Sequence, residues 1–196
     1  MKRLGILLGL IVTVVLVGML VFPAVTRCGS CYTGFGNSAA AAAPTAGDKA
    51  RTVFIHLTAN FKENDGPVCV AFNAAWAARE KGYHVELFFD QGAAYGLKQW
   101  APGKTDLGIY DLPEDLKNLL VESFGVKKDQ LPKNYQDYLA FLNDKGVRVT
   151  TNGLWNALTK VEKTVKGTEN ILPYVQPLTI QEVIDHRAAA DVYLKF

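Results

Sequence analysis

The chain has 196 residues, is 49% hydrophobic, and carries a formal charge of +2 from 21 Lys and Arg set against 19 Asp and Glu. That length allows one anchored domain of ordinary size, and the scattered cations form no basic stripe of the kind that phosphate-backbone binding requires, which argues against nucleic acid as a partner. Three cysteines are too few for a disulfide scaffold.

Lys2 and Arg3 precede an uncharged apolar run, Leu4 to Phe22, long enough to cross a bilayer as a helix. It is longer than the usual apolar region of a signal peptide, no small-x-small site follows it closely, and the AAAAAP tract at Ala39–Pro44 lies far downstream. These features favour a retained anchor over residues 1–22 against a cleaved signal, with the lipid bilayer as first partner. Lipoprotein processing at Cys28 is disfavoured by Arg27, which stands where a small residue is wanted. The basic flank puts the N-terminus in the cytoplasm and the folded part outside it, periplasmic if bacterial.

Residues 23–50, rich in Gly, Ala and Pro, read as a tether. Within it Cys28-Gly29-Ser30-Cys31 has the spacing of a dithiol redox motif or half a metal site. A redox pair normally follows a strand and opens a helix, whereas this one follows the apolar run and precedes Gly-rich chain. Tyr32 stands where covalent haem attachment needs His, and no further zinc ligands are near. A structural disulfide or a contact with a partner's membrane subunit is the simpler reading; redox or metal duty is the other.

Folded chain begins at Arg51. Thr52 to Thr58 is a β-branched and aromatic run, Gly66 to Lys81 is apolar at helical spacing, and Tyr83 to Phe89 is a second short apolar run, which together predict a βαβ unit. Asn64 and Asp65 are N-cap candidates, Pro67 sits in the first turn, and Gly82 ends the helix. Parallel strands with a right-handed crossover bring Thr58–Asn60 and Asp90–Gly92 to one edge, where a pocket is expected. The helix is apolar nearly all round, so two of its faces need cover. Either a second protomer or a related subunit supplies it, or the segment Ala93–Lys133 folds over it.

Beyond Asp90-Gln91-Gly92, that punctuated insertion contains a helix from Pro113 to Phe124, and Tyr95 and Trp100 could cover the pocket or pack the insertion down. A helix from Asn134 to Lys145 follows, with Tyr135, Tyr138, Leu139 and Leu142 on one face. Val147 to Thr151 is a third strand, and Leu154 to Val165 reads as a helix aligning Trp155, Leu158 and Val161 or Glu162. Ile171 to Leu178 is extended. Thr179 with Glu182 is a capping box for a helix to about Ala189, and Asp191 to Phe196 is a last strand, with Val192 and Leu194 on one side and Tyr193 and Lys195 on the other.

The order strand, AFNAAWAAREKGYHVELFF, DQG loop, GVRV, and a terminal helix and strand containing Ala190-Asp191 resembles the DsrE/DsrF-like sulfur-relay family, to which TusD belongs, across nearly all of Thr52 to Phe196. The resemblance implies a Rossmann-like three-layer α/β/α domain with a mainly parallel sheet, self-association or complex formation with related or redox-system subunits, and persulfide transfer through a cysteine after the late strand. Here GVRVTTNGLW has Thr151 and Asn152 where that thiol belongs, and a hydroxyl has neither the acidity nor the polarisable atom of a persulfide carrier.

The expected function is accordingly a membrane-anchored binding or assembly subunit of a sulfur or redox system. The alternative is a sulfurtransferase working through Cys28, Cys31 or Cys69, the first two reaching a pocket on a tether with a span of roughly 25–30 Å. Cys69, with Phe72 and Trp76 at i+3 and i+7, reads more simply as a small residue packed under rings. His56 reads as a hydrogen-bonded core residue, and no HxH or HxxxH spacing points to a metal among the histidines. Asn60, Asp90, Gln91, Thr151 and Asn152 are the candidate ligand-binding set because all follow carboxyl ends of expected parallel strands. No phosphate-binding Gly motif is present, so no cofactor is expected.

Overall fold

The computed structural model describes residues 50–196. The expected anchor at 1–22, and the tether up to residue 49 with Cys28 and Cys31, lie outside the described residues. Among the described residues no helix is long and apolar enough to cross a membrane.

The molecule is an α/β domain of Rossmann-like layering. Strands β1 (Thr52–Leu57), β2 (His84–Phe89), β5 (Arg148–Asn152), β6 (Gln176–Leu178) and β7 (Val192–Lys195) form one parallel sheet in the order β6-β5-β2-β1-β7. A separate small hairpin, β3 (Gln99–Ala101) with β4 (Lys104–Thr105), rises from the insertion. The helices are α1 (Gly66–Glu80), α2 (Gln91–Ala94), α3 (Glu114–Phe124), α4 (Tyr135–Asp144), α5 (Gly153–Leu158) and α6 (Ile180–Ala189).

The period-two pattern of each strand sorts the core. Val53, Ile55, Leu57, Val85, Leu87, Phe89 and Val149 join the large core on the α1 side, while Phe54, Phe88 and Leu178 form a smaller cluster with Val183 and Tyr193 on the α6 side. Val192 and Leu194 go with the first set and Tyr193 with the second, as their alternation implies.

Asp65 is the N-cap of helix α1 and makes no side-chain cap bond; the Asn64 side chain before it accepts from the Gly66 N–H at 3.1 Å, and Pro67 lies in the first turn. Gly82, at φ +78°, takes the left-handed conformation that closes it. Its apolar second face is covered within the chain. Trp76 stacks flat on Phe124 of α3 at 4.0 Å between ring centroids and meets the edges of Phe141 and Tyr138 from α4. Phe124 from the insertion, and Tyr138 and Phe141 from α4, thus lie over this face at Trp76.

One expected element is shorter than its sequence pattern implies. The helix read over Leu154–Val165 ends at Leu158, because Lys160 turns the chain at φ +58° and the Val161 and Glu162 N–H groups both fold back onto the Asn156 carbonyl. Glu162 is buried, not on a helix face: its carboxylate accepts from the Asn170 backbone and side-chain amides and so staples the loop shut. The capping box at Thr179 and Glu182 does open α6, with both reciprocal bonds made.

Candidate functional site

Parallel strands leave their carboxyl ends on one edge, and there the α6 side of the sheet presents a connected line of polar groups. Asp90, the residue after β2, caps the short α2 by accepting from the Gln91 N–H at 2.8 Å. The same carboxylate accepts from Asn152 Nδ2 at 2.9 Å and from His56 Nε2 at 3.1 Å. On its other side His56 Nδ1 lies 2.8 Å from the Tyr193 hydroxyl. Asn152 also accepts from the Trp155 N–H at 3.1 Å, which starts α5. Three elements distant in sequence are thereby joined through one carboxylate.

The local sequence explains the tightness of this edge. Gly153 is enclosed so closely that a Cβ there would stand 1.9 Å from the Val165 carbonyl oxygen. A Cβ at Gly92 would stand 2.9 Å from the Asn60 Cβ, so the DQG turn approaches the β1 exit loop only because that residue is glycine. Between Asp90 and Gly92, Gln91 holds φ +48°, a conformation that side chains with a Cβ adopt at a cost and that clusters at functional turns.

Burial by itself would raise the Asp90 carboxyl, but the hydrogen bonds from His56, Asn152 and the Gln91 N–H outweigh it and hold the group below the ordinary carboxylate range. An ionised Asp90 only accepts, so His56 Nε2 carries a proton. When the imidazole is neutral, Nδ1 is then the acceptor and the Tyr193 hydroxyl the donor. The Arg187 guanidinium lies 4.2 Å from the centre of the Tyr193 ring. A phenol, an imidazole and a carboxylate in series can pass a proton along the line, and none of the three is a sulfur carrier.

The sign of the Asp90 shift makes a pH prediction. A carboxyl held low in the fold contributes stability that is complete above its unfolded value, about pH 4, and is lost as pH falls through the lower folded value. The difference in urea midpoint between the native chain and Asp90→Asn is therefore expected to be widest at neutral pH and to shrink as the solution is taken below about pH 4. A gap that stayed constant down to the acid transition would mean that the carboxylate does not carry the network.

Of the candidate ligand residues, Asp90, Gln91 and Asn152 come together. Asn60 lies beside Gly92 but turns its side chain into its own loop, donating to Glu63 Oε1 at 2.9 Å and accepting from the Lys62 N–H at 3.1 Å. Thr151 is fully buried on the α1 side of β5, its hydroxyl 3.5 Å from Asn156 Oδ1. His56 and Tyr193 belong to the site without having been among the expected residues. The available signal was their shared strand parity, His56 with Phe54 and Tyr193 opposite Val192, but it needs the knowledge that β7 pairs with β1.

Cys69 is partly buried near the start of α1, and its Sγ lies 2.9 Å from the Tyr135 hydroxyl, which in turn donates to Asp65 Oδ2 at 3.1 Å. Burial first, and then the neighbouring Cys69 and Asp65, push the Tyr135 hydroxyl far above its ordinary range, so it stays protonated. With its proton directed at Asp65, the tyrosine oxygen is left to accept a hydrogen bond from the thiol. A further buried carboxylate, Glu86, accepts from Thr150 Oγ1 at 2.8 Å and pairs with His186 Nδ1 of α6 at 3.0 Å. Among the described residues, no group of three or more His, Cys, Asp or Glu is arranged to hold a metal ion.

No family model matches this chain, and no curated protein matches it. Among solved structures, the crystal structure of the ychN protein from E. coli is similar at 16% identity and a TM-score of 0.46, covering 76% of this chain and 100% of that one.

Proposed function

We propose that the chain is a membrane-anchored, non-cytoplasmic binding or assembly subunit of a sulfur or redox system, with its ligand edge at Asp90, Gln91 and Asn152 and no sulfur transfer of its own. The observation that supports it is the state of Asn152. Where the DsrE/DsrF-like resemblance implies a reactive thiol, this residue offers an amide with both ends engaged, its nitrogen on Asp90 and its oxygen on the Trp155 N–H. Such a group orders the turn and supplies no nucleophile. The anchor at residues 4–22, and association with copies of this chain or with related or redox-system subunits, are parts of the same reading.

A second reading, persulfide transfer through Cys69, Cys28 or Cys31, draws its support from the partial exposure of Cys69 at the start of α1. Against it, for Cys69, stands the engagement of its sulfur by the Tyr135 hydroxyl within the helix packing. The full chain, purified in mild detergent, is to be incubated with glutathione persulfide and then with a thiol acceptor, with mass spectrometry of the intact protein and its peptides. The expected result is no added sulfur that the acceptor can remove. Sulfur found on one cysteine and then passed to the acceptor would overturn the non-catalytic reading and replace it with the second.

A further inference from the structure

Beside the carboxyl edge, but built by the insertion, lies a cleft of about 290 Å³. Its walls include Trp100, Tyr95, Lys98, Lys62, Asp106 and Asn60. In a chain that buries Trp76, Tyr135 and Tyr138 almost completely, Trp100 remains 58% exposed and Tyr95 42% exposed. Two exposed aromatic side chains thus line a concave surface, a lining that suits a flat ligand.

The polar groups around the cleft decide what kind of ligand. Lys62 is neutralised by Asp106 at 2.7 Å. Asn60 is engaged at both ends by its own loop, and the Gln99 side chain is engaged by the Ile171 carbonyl and the Gly103 N–H. The Lys98 ammonium, by contrast, meets no carboxylate among the described residues, and the Tyr95 hydroxyl meets no hydrogen-bond partner there. Lys104 adds positive potential at the rim, with Nζ 5.7 Å from the centre of the Trp100 ring. The uncommitted features are therefore one cation, one phenol and two exposed aromatic side chains, in a volume that accommodates a small ring compound.

We propose that this cleft is a binding site for a small aromatic carboxylate, its ring against Trp100 and Tyr95 and its anionic group on Lys98. The site is distinct from the Asp90 line and does not depend on what that line does. It gives the insertion between α2 and α3 a role beyond covering α1.

The test is isothermal calorimetry on the full chain in mild detergent, with benzoate as probe and benzyl alcohol and cyclohexanecarboxylate as controls. Benzoate is expected to bind saturably, with each control weaker by about tenfold or more, since each lacks either the charge or the flat ring. Lys98→Gln, at an exposed position, is expected to weaken benzoate by about tenfold while leaving benzyl alcohol unchanged. Trp100→Leu is expected to weaken benzoate and to remove its preference over cyclohexanecarboxylate. Absence of saturable benzoate binding up to about 20 mM would overturn the proposal. So would equal binding of benzyl alcohol, or affinities unchanged in both variants.

Discussion

Gly153→Ala is expected to lower the free energy of unfolding by about 3 kcal/mol, at the upper end of what overpacking does. The added Cβ would stand 1.9 Å from the Val165 carbonyl oxygen and 2.9 Å from that of Leu178. Both are backbone atoms, so no side-chain rotation relieves the contact. Either the loop between α5 and β6 moves away, breaking the bonds by which Glu162 closes it, or α5 tilts and takes Asn152 off Asp90. Both routes reach the candidate site, so the His56–Asp90 pairing should loosen along with global stability. Urea unfolding followed by circular dichroism measures the first effect. A loss under about 1 kcal/mol would mean that the Val165 segment does not pack on Gly153 as described.

Trp76→Ala is the second large expected effect, about 3–5 kcal/mol, the range for deleting a large buried aromatic. Trp76 is 1% exposed, lies parallel to Phe124 within 3°, and meets Phe141 edge-on at 4.7 Å. Its indole N–H donates to Glu80 Oε1 at 2.8 Å, and the Lys145 ammonium, 2.9 Å from that same carboxylate, sits 5.4 Å from the indole centre. Three helices meet on this one side chain, and the cavity left by alanine cannot be closed by moving any one of them. Trp76→Phe keeps a ring against Phe124 and should recover part of the loss. If alanine and phenylalanine were equally tolerated in denaturant unfolding, the cover of α1 by α3 and α4 would have to be abandoned, and a second protomer would again be needed on that face.

What could be read from the sequence was mostly what short-range periodicity carries. The βαβ unit, the Tyr135-to-Leu142 face of α4 and the Thr179 capping box depend on residues within a turn or two of one another, and the structure has all of them. The fate of α5 does not. Trp155, Leu158 and Val161 fall at helical spacing, but Glu162 is drawn to Asn170 and Gly153 is enclosed by Val165, contacts that no local pattern announces. The same division runs through the site. Asp90 and Asn152 follow strands whose parallel direction is implied by their connections, so their meeting could be anticipated. The partnership of His56 with Tyr193 spans 137 positions and rests on the pairing of the first strand with the last.

No side chain of helix α6 is fully buried. It is fastened by its capping box, by Val183 and Ala190 packed against the small Phe54, Phe88 and Leu178 cluster, and by His186 on Glu86. So little buried area places its opening free energy well below that of the whole domain. The sheet's second face is therefore expected to open locally at α6 before the α1 layer does. Such an opening would uncover Glu86, Thr150 and the ring of Tyr193. Backbone amides of α6 are accordingly expected to exchange their hydrogens faster than those of α1.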